Sequence, residues 1–202
     1  FCRRGKEVVL VEKDFCGAGA SGKTSGFITP DSELELGDLV SRYGVEKAKH
    51  LWGFVSEGVD RIRTTIEEHA INCDYQIQDS CYIANTPQGM HDVTREHESR
   101  IRLGFQSVIY QQDEIPNILG SAAYFGGVRY PNTFGINSYL YCQFLKEILS
   151  KRGVKIFEHT NIHSITNNGA TTDRYHIKAR WIVVATDRFL PMLGFAKDQI
   201  YH

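Results

Sequence analysis

Glu12 stands directly after Val8-Val9-Leu10-Val11 and is followed by Lys13. Four successive apolar, mostly β-branched residues predict a buried parallel strand. An acidic side chain at the carboxyl end of such a strand can accept hydrogen bonds from both hydroxyls of a ribose. Shortly afterwards the chain reads Gly17-Ala18-Gly19-Ala20-Ser21-Gly22-Lys23-Thr24-Ser25-Gly26-Phe27. So many small residues let backbone N–H groups approach a ligand closely, because few side chains intervene. Acid and loop together predict a dinucleotide site. The Gly-rich phosphate loop expected ahead of this strand is not among the 202 residues, which open on Phe1 rather than Met. The chain is therefore expected to be processed or truncated.

A second group that could do chemistry is Tyr82, Arg129 and Tyr130. An arginine beside aromatics can bind a substrate carboxylate, although ordinary core and surface roles explain the same residues. The histidines offer less. All eight are scattered, and His69, His91 and His97 lie in polar helical stretches where solvation accounts for them. The five cysteines are odd in number and contain no C-x-x-C pair. That argues against a disulfide framework or a zinc site and favours a reducing cytoplasm.

Bulk composition removes other classes. With 23 Lys and Arg against 24 Asp and Glu, the formal net charge is −1, which recommends neither nucleic acid nor an anionic membrane as partner. Hydrophobic content of 42% and charged content of 23% are those of a globular chain. No apolar run reaches the length of a membrane span, and no secretory signal is visible.

Several elements must position these groups. After the strand at 8–11, residues 14–30 read as a loop that begins with a short helix and ends in a turn at Thr29-Pro30-Asp31. Apolar residues at Val45, Ala48, Leu51, Trp52, Val55, Val59, Ile62 and Ile66 predict an amphipathic helix over 45–70. Residues 73–84 read as a hairpin turning near Gln78-Asp79-Ser80, 88–103 as a polar helix, 105–110 as a strand, and 122–130 as a strand pair around Gly126-Gly127. Asn137 is a candidate N-cap for a helix that stops at Gly153. Strands follow at 154–157, in an antiparallel pair (161–166 with 175–180), and in a second buried run, Trp181-Ile182-Val183-Val184-Ala185-Thr186. Residues 1–40 and 138–202 thus read as a parallel α/β nucleotide-binding layer. Residues 41–137 read as an inserted mixed-sheet domain with helices.

Three stretches carry a family resemblance: Val8–Lys13, Gly19–Phe27, and the run from Asn137 through Gly153-Val154-Lys155-Ile156-Phe157 to Trp181–Thr186. The chain resembles the D-amino-acid-oxidase-like FAD-dependent oxidoreductases, the group of glycine, sarcosine and γ-glutamylputrescine oxidases. The resemblance implies a glutathione-reductase-like FAD-binding layer, incomplete here, with a substrate domain inserted. It implies FAD contacts from Glu12, Lys13, Ala20, Ser21, Gly22, Lys23, Thr24, Ser25, Gly26, Ile162, Ala185 and Thr186. In this scheme Glu12 holds the adenosine ribose, the loop runs along the pyrophosphate toward the ring, and Ile162 offers its backbone to adenine. The substrate class implied is a primary or secondary amine or an amino acid, giving up hydride to the flavin and leaving an imine that hydrolyses. The resemblance names no general base. The sequence departs from the family pattern at Asp187, where glycine is usual after Ala185-Thr186. Two other readings stand beside it. One is a non-catalytic nucleotide-binding or partner-binding remnant, with a homo-oligomer or a complementary segment covering an open sheet edge. The other is an NAD(P)-dependent reductase, since Glu12 suits NAD as well as FAD.

Overall fold

The computed structural model describes residues 1–30, 33–131 and 133–197. Asp31, at the end of the expected turn, lies outside them. In chain order the elements are β1 (Val9–Val11), α1 (Ala20–Lys23), β2 (Phe27–Ile28), α2 (Leu36–Tyr43) and α3 (Val45–Glu68). Then come β3 (Gln76–Ile77), β4 (Ser80–Ile83), α4 (Gly89–Leu103), β5 (Val108–Gln111), α5 (Ile115–Leu119), β6 (Gly126–Tyr130) and β7 (Phe134–Gly135). The chain continues through α6 (Ser138–Lys151), β8 (Lys155–Phe157), β9 (Ser164–Thr166), β10 (Gly169–Thr171) and β11 (His176–Lys178).

These elements fall into two compact units, Phe1–Lys23 with Cys142–His202, and Thr24–Tyr141. Residues 24–40, expected with the nucleotide layer, cluster with the second unit instead. Their backbone explains it: β2 pairs antiparallel with β7, and α2 packs on α3 and α4.

In the first unit β1 and β8 pair in parallel, with Leu10 opposite Ile156. Helix α6 links the units in sequence and has the expected ends. Asn137 Oδ1 accepts the Leu140 N–H, and Gly153 takes a left-handed φ of 81° while the Val154 N–H reaches back to Leu149. The antiparallel pair expected beyond β8 is instead a three-stranded meander. The strand between, β10, was unreadable because Gly169-Ala170-Thr171 has almost no apolar content.

Two strand expectations need correction. β1 is only half-buried, since among the described residues β8 is its one hydrogen-bonded neighbour. Trp181–Thr186 forms no strand, and Trp181 and Val183 are 79% and 73% exposed. A run of β-branched residues takes its burial from neighbouring strands, and here none pairs with it among the described residues. Of the buried apolar side chains described, only Val154 and Ala170 belong to this unit.

The second unit holds the main core. Leu36 and Leu39 of α2, Ala48 and Trp52 of α3, and Leu103 of α4 form one cluster. Helix α2 is not among the expected elements, although Leu36, Leu39 and Val40 have helical spacing. A second cluster joins Val93 of α4 to Val128 and Tyr130 of β6. The strand order β4-β6-β5 is antiparallel throughout, so β4, α4 and β5 form a crossover split by β6. Both sheets of this unit are antiparallel rather than mixed.

The expected hairpin at 73–84 is also absent. β3 pairs with β7 and β4 with β6, so Gln78-Asp79 connects two sheets. Gly126-Gly127 makes no turn but opens β6. A Cβ on Gly126 would meet Met90 Sδ at 2.3 Å, and one on Gly127 would meet Cys81 Sγ at 2.8 Å. Glycine marks close approach here, not reversal.

Candidate functional site

Three stretches of the first unit meet at the carboxyl end of β1. Glu12 donates its N–H to the Phe157 carbonyl at 2.9 Å and accepts the Thr160 N–H at 2.9 Å. The Asp14 carbonyl accepts the His159 N–H at 2.6 Å. Glu12 as a whole residue is half-buried, with its carboxylate at an exposed position. Its Oε1 accepts the Asp14 N–H at 3.0 Å, and among the described residues no hydrogen bond reaches Oε2. The Lys13 ammonium lies 4.4 Å from the centre of the Phe189 ring. The Phe189 N–H in turn donates to the Thr186 carbonyl at 3.0 Å.

The loop after Glu12 is held at both backbone groups of one residue. The Cys16 N–H donates to Glu158 Oε1 at 2.8 Å, and Gln143 Nε2 donates to the Cys16 carbonyl at 2.6 Å. Lys146 Nζ donates to Glu158 Oε2 at 2.5 Å. The Lys146 hydrogen bond, followed by that from the Cys16 amide, brings the Glu158 carboxyl down to about 2. Burial, followed by Glu158, raises the Cys16 thiol, which makes it a poor nucleophile. Gln143, Lys146 and Glu158 were missed from the sequence. The available signal was the three-residue spacing of Gln143 and Lys146, which puts them on one face of α6.

Beyond the clamp the loop folds back on itself. Gly17 has φ 86°, and a Cβ on Gly22 would lie 2.1 Å from the Gly17 carbonyl oxygen. Ala20, Ser21 and Lys23 are exposed along α1. Ile162 is half-buried, and among the described residues no backbone hydrogen bond engages it. Ala185 is exposed, while the Thr186 hydroxyl is buried without a hydrogen-bond partner among the described residues.

Thr24, Ser25 and Gly26 belong to the second unit. Thr24 Oγ1 shares a 2.6 Å hydrogen bond with Ser138 Oγ and accepts the Gly26 N–H at 3.2 Å. Ser25 is exposed. Gly26 has φ 77°, and a Cβ there would lie 1.9 Å from the Ile136 carbonyl oxygen. Gly26→Ala is expected to destabilise the second unit by about 2 kcal/mol, from left-handed strain and forced separation of β2 from β7. Urea unfolding checks it, and a loss no greater than measurement error would refute the close approach.

The structure does not gather Tyr82, Arg129 and Tyr130 into one cluster. Tyr82 lies opposite Val128 in the ladder and shares the α4-facing side with Tyr130; Arg129 points to the other face. Arg129 pairs with Asp79, Nε to Oδ2 at 2.5 Å, so its fork already holds a carboxylate. The Tyr130 hydroxyl donates to Glu35 and its ring lies 3.5 Å from the Arg100 guanidinium. Burial, then Glu96 and Glu35, push the Tyr130 phenol upward. These contacts give Tyr130 a packing role inside its own unit.

Asp187, the departure from the family pattern, adopts a left-handed φ of 49°. Such a conformation suits glycine. Asp187→Gly is expected to raise stability by up to about 1 kcal/mol, the left-handed penalty less the added chain entropy of glycine. Chemical denaturation followed by far-ultraviolet circular dichroism measures it; a clear loss would show that the Asp187 side chain contributes something the strain does not outweigh.

A family model described as DAO, FAD dependent oxidoreductase, matches residues 1–200. The chain belongs to this family. It is 27% identical over 196 residues to the probable oxidoreductase OrdL of Haemophilus influenzae, covering 94% of this chain and 45% of that protein. It is 22% identical over 190 residues to γ-glutamylputrescine oxidoreductase of Escherichia coli, covering 92% of this chain and 44% of that one. Among solved structures, glycine oxidase from Geobacillus kaustophilus superposes with a TM-score of 0.75 at 17% identity, over 96% of this chain and 52% of that one. The α/β fold is therefore that of this FAD-dependent family. The chain spans about half the length of the relatives it matches. Among the described residues no helix is long and apolar enough to cross a membrane, and no group of three His, Cys, Asp or Glu is placed to hold a metal.

Three residues of the first unit have polar atoms that could receive part of FAD. Glu12 offers an unengaged carboxylate oxygen, Ile162 an unengaged backbone, and Thr186 a buried hydroxyl with no hydrogen-bond partner among the described residues. Unsatisfied polar groups of this kind are what a bound polar ligand would complete.

Proposed function

We propose that this chain is the adenosine-binding and substrate-domain portion of an FAD-dependent oxidoreductase acting on an amine or an amino acid. The observation that carries the reading is Glu12 at the carboxyl end of β1, with one carboxylate oxygen unengaged among the described residues and its backbone tied to residues 157–160. The first unit serves as part of the FAD-binding domain and the second as the substrate domain. Glu12 accepts two hydrogen bonds from the ribose, Ile162 meets adenine through its backbone, and the small residues from Gly17 to Gly22 give close backbone approach. Bound flavin supplies the two-electron acceptor for the carbon bearing nitrogen. The chain's own contribution is to hold the nucleotide end rigidly and so fix where that ring lies.

A second reading, a nucleotide- or partner-binding chain without catalysis, is favoured by one observation. Trp181 and Val183 stand exposed in a run with strand composition and no pairing among the described residues. One measurement separates the two. The purified 202-residue chain is mixed with FAD, freed of excess, and its visible spectrum recorded. A retained, shifted flavin band supports the oxidoreductase reading and leads to a screen of amines and amino acids. Absence of the band means that this chain does not hold FAD alone; the oxidoreductase reading then applies only to a longer protein, and the partner-binding reading gains weight.

A further inference from the structure

We infer that Glu158, set by Lys146 and assisted by Gln143, is a positioning residue that fixes the loop after Glu12 for nucleotide binding. The inference rests on the proposed function and deepens it. The loop cannot hold itself. Residues 13–19 form no helix or strand, and the local backbone bond from Ala18 to Phe15 spans a single turn. Its fixed points come from elsewhere. Glu12 and Asp14 are tied through their backbones to residues 157–160. Cys16 is tied through both its N–H and its carbonyl, to Glu158 and to Gln143.

Glu158 does two things at once. One oxygen accepts the Cys16 N–H while the other takes the Lys146 ammonium at 2.5 Å, so the carboxylate cannot rotate without breaking both. The Thr160 hydroxyl also donates to the Glu158 carbonyl at 2.9 Å, which fixes the backbone on which this side chain stands. Charge-assisted bonds are about twice as strong as neutral ones, and this carboxylate is ionised throughout the neutral range. The peptide at Cys16 is four residues from Glu12 and one from Gly17, the hinge of the fold-back. Holding it orders the stretch that Glu12 must share with a nucleotide, so binding pays less ordering entropy.

The test uses Glu158→Ala, Glu158→Gln and Lys146→Met in the full chain, with amide hydrogen exchange and FAD titration by flavin fluorescence. Glu158→Ala is expected to speed exchange at Cys16 by about tenfold or more and to weaken FAD by about tenfold. Glu158→Gln, which keeps one oxygen acceptor for the Cys16 amide but loses the acceptor for Lys146, is expected to restore part of both. That rescue is the readout a merely structural role would not give, because a general loss of fold would exchange amides throughout the unit. Lys146→Met is expected to fall between. If FAD binds the wild-type chain and Glu158→Ala changes neither exchange nor affinity, the inference is overturned and the proposed function stands. Failure of the wild-type chain to bind FAD overturns the proposal that this chain holds the nucleotide by itself, and this inference with it.

Discussion

Glu12→Ala is expected to weaken FAD binding by roughly a hundredfold while leaving the fold in place. Each hydrogen bond from a ribose hydroxyl to a carboxylate contributes about 1.5–3 kcal/mol, so losing two accounts for two decades or more. Structural damage is small by comparison. Among the described residues Glu12 Oε1 accepts the Asp14 N–H alone, at an exposed position where water can replace it. The backbone bonds from Glu12 to Phe157 and Thr160 do not involve the side chain. Glu12→Gln, which keeps the shape and loses the charge, is expected to lose about one decade. Titration of flavin fluorescence against each variant, with a thermal melt beside it, measures both quantities. Equal affinity in wild type and Glu12→Ala would remove the ribose role altogether.

Arg100→Ala carries the largest expected cost to stability, about 3–5 kcal/mol, because it leaves a buried carboxylate unpaired. Glu96 and Arg100 are 1% and 3% exposed and one turn apart on α4, joined Nε to Oε1 at 2.7 Å. The other Glu96 oxygen accepts the Gly37 N–H at 2.8 Å, in the first turn of α2. The guanidinium is sandwiched between aromatic rings, 3.5 Å from the Tyr130 centroid and 4.5 Å from that of Trp52. The Glu96–Arg100 pair therefore ties α2, α3, α4 and β6 together. The pair itself is not favourable by default, since desolvation opposes it. The double variant Glu96→Leu with Arg100→Met is accordingly expected to cost much less than the sum of the single changes. A urea series on the two singles and the double gives the coupling. An Arg100→Ala loss below about 1 kcal/mol would mean that water reaches the carboxylate and compensates it.

What could be read from the sequence was local. Helix α3 announced itself by spacing, α6 by an Asn cap and a Gly stop, and β1 by four apolar residues ending in an acid. Family membership followed from those same stretches. What could not be read depends on distant partners. Cys16 and Glu158 are 142 positions apart, and no spacing rule connects them. Gln76–Ile77 and Ser80–Ile83 read as a hairpin because their turn residues suit one. Their actual partners, Phe134–Gly135 and Gly126–Tyr130, lie some fifty residues further on. Arg129 and Tyr130 were the opposite case. Adjacent residues of a strand point to opposite faces, so their separation was already legible once β6 was recognised as a strand.

The two tryptophans of this chain fall one to each unit, and their surroundings differ completely. Trp52 is enclosed against the Arg100 cation, whereas Trp181 stands 79% exposed. Intrinsic emission is therefore a two-channel signal without any label. The enclosed indole is shielded from a soluble quencher such as iodide, and its spectrum shifts when the larger core opens. The exposed indole is quenched from the outset and responds to whatever comes to cover residues 181–186. Recording emission with and without quencher resolves loss of the core in one unit from occupation of the open run in the other.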